Sequence, residues 1–312
     1  MERRILITGA SGFIGTNLLM KLQKEGTLGK KNLLVLAVDL VKPAVDVSWE
    51  KADLRTTDWA FLDGFKPTHV LHLAALTNHR LCADLGETMR ANVDATQALF
   101  SKLASLGGVE KIVFPSSIVV YAETAQMPLC EDSTALDYHH NHYSLSKGLC
   151  EELCQHFRAK PYNLPILTFR LSNVYGPYQE WRPEKFPNLL PQIMRQAILE
   201  KKIEVWNKTP VRDFIYVKDA CDAFMKALDT SYNGVVNIAS GVGTSVGTIC
   251  SEISRLTGAP VVDLGKQVSG PTHVVCDTAR AQTYLGWKAA TPMAEGLRKT
   301  VEYYQREIGS SN

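Results

Sequence analysis

The sequence predicts an α/β fold: a doubly wound parallel sheet carrying a smaller, discontinuous α/β substrate-binding lobe. Three observations predict it. Short β-branched runs alternate with longer stretches of helical apolar spacing through the first half of the chain. Those short runs are apolar throughout, as strands covered on both faces must be. After Arg170 the texture changes, because four of the fourteen prolines fall within residues 173–191 and interrupt the alternation.

The elements follow in order. "ILI" (5–7) is the first strand, and a glycine turn leads into Ile14, Leu18, Leu19 and Leu22, spaced for one helix face. "LLVLAV" (33–38), "HVLHLA" (69–74), "KIVFPS" (111–116) and "ILTFR" (166–170) are the next strands, with a helical stretch over 87–105 between the third and fourth. The proline-rich segment reads as a long ordered loop. A helix at about 189–201, a strand at about 203–206 and a helix after Lys218 come next. The expected division is 1–173 with about 213–239 for one domain, and about 174–212 with 240–312 for the other. There is no repeat, low-complexity tract or linker.

A chain of 312 residues, 45% hydrophobic and 21% charged, can bury a large core. Its net charge of +2 gives no electrostatic footprint for nucleic acid. No apolar run approaches membrane-spanning length, so no membrane partner and a cytoplasmic location are expected. The opening "MERRILITGA" has charges before an apolar run, but the run is short and enters a glycine turn. Seven cysteines without a CxxC pair read as reduced thiols, and Cys150 and Cys154 lack two further ligands at zinc spacing. His139, His140 and His142 read as loop histidines. No metal is assigned.

"ITGASGFIG" sets Gly9, Gly12 and Gly15 between a strand and a helix. Glycine lets the backbone approach a ligand, and the helix N-terminus offers N–H groups and a favourable dipole to a pyrophosphate. The second strand ends in Asp39, where an acidic side chain accepts from both hydroxyls of an adenosine ribose and repels a 2′-phosphate. This is a Rossmann-type arrangement, and it favours NAD over NADP.

Two tyrosines precede a lysine by four residues: Tyr143 with Lys147, and Tyr284 with Lys288. Spacing alone does not separate them. The order of the motifs does. "ADL" with Asp53, "HLAAL" (72–76), "NVDATQ" (92–97), "PSSIVVYA", "YSLSK", "RLSNVYGP" (170–177), "FPNLLPQI" (186–193), "VRDFIYVKDA" (211–220) and "NIASG" resemble the extended short-chain dehydrogenase/reductases. Within that group the chain resembles the NAD-dependent epimerase/dehydratase family acting on nucleotide sugars. The resemblance covers nearly the whole sequence.

The resemblance implies a catalytic set of Ser117, Tyr143 and Lys147. Tyr143 is the acid–base, since a nearby ammonium and an oxidised nicotinamide favour its phenolate over an ordinary phenol of pKa about 10. Lys147 also reaches the nicotinamide ribose, and Ser117 donates to the reacting sugar oxygen. Tyr284–Lys288 lacks such partners and is structural. The resemblance further implies NAD contacts from Phe13, Ile14, Leu40, Asp53, Leu54, Leu73, Ala74, Ala75, Thr77, Asn92 and Pro115. On the substrate side it implies Asn173 at the sugar, Asn188 and Leu189 at the nucleotide, Glu204 and Trp206 at the base, and Arg212 clamping the diphosphate. The alternative for Arg212 is an ion pair with Asp213. Relatives often form homodimers through two helices, one of them carrying the tyrosine.

Two departures bear on the reaction. Dehydratases and decarboxylases of the family carry an acid just after the catalytic Ser/Thr, where this chain has Ile118 and Val119. Neither can remove a proton from C5, and Glu123 lies past the strand end. The stretch before Asp277 lacks the family's second diphosphate arginine, and Lys266 is the nearest cation. Epimerisation at C4 through a 4-keto sugar is the expected activity. A 4-ketoreductase would use the same triad, and a non-catalytic NAD-binding sensor would need none.

Overall fold

The computed structural model describes residues 2–28, 32–77, 80–185, 188–267 and 270–309. The strands in chain order are β1 (Arg3–Thr8), β2 (Leu33–Asp39), β3 (Ser48–Lys51), β4 (His69–His72), β5 (Lys111–Ser117), β6 (Ile166–Leu171), β7 (Asn173–Tyr175), β8 (Ile203–Val205), β9 (Val211–Tyr216), β10 (Val235–Ile238), β11 (Gly243–Ser245) and β12 (Val261–Asp263). Among the described residues the large sheet has seven strands in the order β3-β2-β1-β4-β5-β6-β10. Every pairing within it is parallel. The order reverses between β1 and β4, and a ligand crevice opens at such a point beyond the strand ends.

The apolar strands are buried on both faces, as their composition requires. Along β1, Ile5 and Ile7 join one core cluster while Leu6 joins the other. β5 does the same, with Val113 on one side and Ile112 and Phe114 on the opposite side. Each such fully buried side chain contributes roughly 1.5–3 kcal/mol. The helices Phe13–Lys24 and Val217–Ala227 cover one face, joined at their surface by Lys21 and Asp222, 2.7 Å apart. The helices Ala95–Leu106 and His142–Arg158 cover the other through Phe100 and Phe157.

Several elements differ from expectation. β3 is a short edge strand whose residues are mostly exposed, and it has no apolar run to announce it. β10 is the seventh strand of the large sheet. The proline-rich segment is not entirely loop, since β7 forms within it and pairs in parallel with β9. β9 also pairs antiparallel with β11, and β12 pairs with β8. The helix expected over 189–201 runs as Leu189–Arg195 and continues as a wider π-helical turn, Gln196–Glu200. Phe186 and Pro187 of the "FPNLLPQI" motif lie outside the described residues, as do Val268 and Ser269 before Asp277.

Candidate active site

A cleft of about 830 Å³ opens beyond the ends of β1, β2, β4 and β5. Its floor begins at the glycine turn. Gly9 has φ +67°, and a Cβ there would lie 2.6 Å from the Ala74 nitrogen. A Cβ on Gly15 would meet the Gly9 carbonyl oxygen at 2.4 Å, so the helix Phe13–Lys24 seats against the turn only with glycine there. No side chain caps that helix and its first turn holds no acid. Its N-terminus therefore offers backbone donors and a positive dipole end to the cleft.

Asp39 stands at the end of β2 and accepts from the backbone N–H of Ser11 at 2.9 Å and of Val41 at 3.2 Å. It caps no helix. These bonds fix the carboxylate at the mouth of the glycine turn. Asp53 is held by Arg55, whose guanidinium donates to both of its oxygens, and this pairing keeps the carboxyl below its usual range. Phe13, Ile14, Leu40, Leu54, Leu73, Ala74, Ala75, Thr77 and Pro115 line the same cleft. A cradle that excludes a Cβ at Gly9 and Gly15, an uncapped helix start and an acid at the second strand end fit a dinucleotide with a free ribose 2′-hydroxyl. Among the expected cofactor residues, Asn92 alone does not line the cleft. It sits behind the wall, bonded to Leu76 and Ser146.

The catalytic candidates meet at the inner end. The helix His142–Arg158 starts where it does because Asn141 caps it, its side chain accepting from the Ser144 N–H at 3.0 Å while Ser144 Oγ accepts from the Asn141 N–H at 3.1 Å. This places Tyr143 in the first turn and Lys147 one turn on, both facing the cleft. Ser117, at the end of β5, lines the same inner end of the cleft as Tyr143. Lys147 Nζ lies 5.9 Å from the centre of the Tyr143 ring and donates to the Pro115 carbonyl at 2.8 Å. Burial pushes the Tyr143 phenol up to about 12, and neighbouring Ser117 draws it down. The expected lowering by Lys147 alone is not found. Burial is the largest cause of the Tyr143 shift and Lys147 is not among its causes, while burial also lowers Lys147.

A second cavity of about 360 Å³ adjoins the cleft, with Leu189 lining both. Glu204, Trp206 and Arg212 line it together, although they come from β8, the turn after it and β9. Glu204 pairs with Lys202 at 3.0 Å, and Trp206 is 60% exposed. Arg212 donates to its neighbour Val211's carbonyl at 2.9 Å, and burial lowers its pKa. It does not pair with Asp213, whose carboxylate is wholly buried and accepts from Ser240, Gly241 and Cys276. Asn173 and Asn188 line the main cleft, and Asn188 heads the helix Leu189–Arg195 without spending its side chain on a cap. Sequence reasoning missed Arg80 and Gln196, which line the second cavity, because neither belongs to a recognisable motif. Lys266 stacks on Trp206 at 5.6 Å and does not line that cavity.

Ile118 turns into a small apolar cluster, and Val119 faces the cleft. Glu123 is exposed and lines neither cavity. Tyr284 stacks on Tyr232 with ring centres 3.8 Å apart, remote from both cavities. His139 packs on Tyr138, and His142 contacts the Cys82 carbonyl at 3.0 Å.

The family model described as "NAD dependent epimerase/dehydratase family" matches residues 5–239. The chain belongs to this family. NAD is therefore its cofactor. Among curated members, the chain is 28% identical to a UDP-glucose 4-epimerase of Mycolicibacterium smegmatis, covering 97% of this chain and 99% of that one. It is 25% identical to a probable GDP-L-fucose synthase of Oryza sativa, covering 99% and 94%. Among solved structures, a UDP-glucuronic acid 4-epimerase from Bacillus cereus in complex with UDP-glucuronic acid and NAD is 25% identical, with a TM-score of 0.84 and coverage of 97% and 99%. A UDP-glucose 4-epimerase from Thermotoga maritima shares the fold at 23% identity, TM-score 0.86, covering 98% and 99%. No helix among the described residues is long and apolar enough to cross a membrane.

Proposed function

We propose that this family member is an NAD-dependent nucleotide-sugar epimerase acting at C4 through a transient 4-keto sugar. The observation that carries the reading is the meeting of Ser117, Tyr143 and Lys147 at the inner end of a dinucleotide cleft that adjoins a second cavity holding Arg212. Tyr143 Oη takes the proton of the sugar 4-hydroxyl, and Ser117 Oγ holds the oxygen between them. Held in the cleft by the glycine turn, Asp39 and Lys147, NAD would supply the hydride acceptor and donor that C4 needs. Arg212 anchors the diphosphate, so the keto sugar turns about that link before Tyr143 gives the proton back. Asn188 and Leu189 hold the nucleotide, Glu204 and Trp206 flank its base, and Asn173 meets the sugar.

Epimerisation is favoured over dehydration by Val119, which faces the cleft where a C5 base would have to stand. The portion 1–173 with about 213–239 would hold NAD, and about 174–212 with 240–312 the sugar nucleotide. We also propose a cytoplasmic homodimer. Free thiols at all seven cysteines support a reducing compartment. The exposed Leu85, at the start of the helical stretch that leads into Ala95–Leu106, supports pairing through that stretch and His142–Arg158.

The test is to incubate purified protein with UDP-, GDP-, dTDP- and CDP-sugars and separate C4 stereoisomers. The expected result is interconversion of one pair without added reduced cofactor, lost by roughly 10²–10⁴-fold in Tyr143→Phe with NAD still bound. Turnover that consumes reduced cofactor one for one would instead identify a 4-ketoreductase. An unaffected Tyr143→Phe would leave only a binding role.

A further inference from the structure

The lining of the second cavity is cationic. It holds two guanidinium groups, Arg80 and Arg212, and one carboxylate, Glu204. Glu204 already pairs with Lys202 at 3.0 Å, and Lys202 does not line the cavity. Arg212 is part-buried and has no acid bonded to it among the described residues. The neighbouring Asp213 accepts from Ser240, Gly241 and Cys276, and burial alone lowers the Arg212 pKa. Arg212 Nη1 donates to the Val211 carbonyl at 2.9 Å, which leaves most of the guanidinium's N–H groups for a ligand. A cation removed from water in this way is stabilised by an anion that enters the cavity.

The two arginines reach the cavity from different parts of the fold. Arg212 lies on β9, opposite Thr244 of β11. Arg80 lies beyond β4, shortly after residues 73–77, which line the dinucleotide cleft. Arg80 itself lines only the second cavity, and Leu189 lines both spaces, so the cavity borders the cleft. Each phosphoryl group of a diphosphate bears negative charge, and Arg212 supplies a single cation. Lys266 does not line the cavity. A second planar fork from the segment after β4 matches the remaining phosphoryl oxygens.

We propose that Arg80 is the second arm of the diphosphate clamp, binding the phosphoryl group next to the sugar while Arg212 binds the one next to the nucleoside. This rests on the reading of the second cavity as the diphosphate site. Arg80 takes the sugar side because its segment continues from the wall of the cleft in which the sugar reacts. The segment after β4 then meets both ligands, NAD at residues 73–77 and the substrate at Arg80.

The experiment is calorimetry of NAD-loaded wild type, Arg80→Ala, Arg80→Lys and Arg212→Ala, titrated with UDP, UMP, GDP, GMP and inorganic pyrophosphate. Arg80→Ala should weaken the better-bound nucleoside diphosphate about ten- to a hundredfold, the range for a hydrogen bond to a charged group. It should leave the matching monophosphate near wild-type affinity, because that ligand lacks the phosphoryl group Arg80 holds. Arg212→Ala should weaken both, since it holds the group they share. Arg80→Lys keeps the charge without the fork and should recover part of the loss. NAD affinity should stay within about twofold of wild type in Arg80→Ala, as for an exposed side chain outside the cofactor cleft. Wild-type diphosphate affinity in Arg80→Ala, or an equal loss for diphosphate and monophosphate, would overturn the proposal. Should wild type bind neither nucleotide more tightly than pyrophosphate, the reading of the cavity as a sugar-nucleotide site fails by itself. Pyrophosphate affinity in Arg80→Ala then still decides the clamp, a loss supporting it and no change overturning it.

Discussion

Tyr143 and its neighbours divide the labour between geometry and charge. Ser117 stands beside the phenol, yet burial holds it at about 12. An oxidised nicotinamide brings positive charge to that end, and positive charge favours the phenolate, so its pKa must fall on NAD binding. Difference spectra of wild type minus Tyr143→Phe should show phenolate absorbance rising near pH 12 without NAD and at distinctly lower pH with it. An unmoved titration would mean that NAD lies away from the phenol. That the glycines, Asp39 and Tyr143 line one cleft was legible, because the order of their motifs along the chain places them at successive strand ends and helix starts. The direction of the Tyr143 shift was not, since desolvation depends on what the whole fold packs around a side chain.

At the scale of elements, the helix His142–Arg158 carries both Tyr143 and Lys147 to the cleft, and its placement rests on a close approach. Gly148 faces the ring of Tyr138, and a Cβ there would fall 2.3 Å from a ring carbon. Gly148→Ala should therefore cost about 1–3 kcal/mol in urea denaturation, the range for overpacking. Adding Tyr138→Ala should recover part of that loss, because the ring that creates the clash is gone. A double variant no better than the single one would place the strain elsewhere. Strands with apolar runs were readable one by one. β3 was not, since an exposed edge strand needs no apolar face, and β7 was hidden because its pairing with β9 is made across the fold.

At the scale of the whole molecule, Lys111 is an ionisable burden outside the cleft. Lys111 is 2% exposed, and its Nζ donates to the Tyr232 carbonyl at 3.0 Å and to Asn233 Oδ1 at 2.6 Å. Neither partner is charged, and burial lowers its pKa from 10.5 to about 8. The folded state thus binds this proton less tightly than the unfolded chain. The cost is full below about pH 8 and is relieved as pH rises toward 10.5, so this group makes stability increase with pH across that window. Urea unfolding of wild type and Lys111→Met at several pH values should show the difference moving in favour of wild type between pH 8 and 10.5. A constant difference would show that the amine is not desolvated.

By itself the sequence determined the alternating α/β architecture and the choice of NAD, and it singled out a glycine turn and a Tyr143–Lys147 pair that line one cleft. Those features need only local conformation or the order of short motifs along the chain. Tertiary structure decided that Arg80 and Gln196 share a cavity with Arg212, that Asp213 is spent on backbone donors, and that Asn92 clamps a loop behind the cleft. These depend on which distant segments the sheet order brings together and on how deeply each polar group is removed from water, quantities that no single stretch of sequence contains.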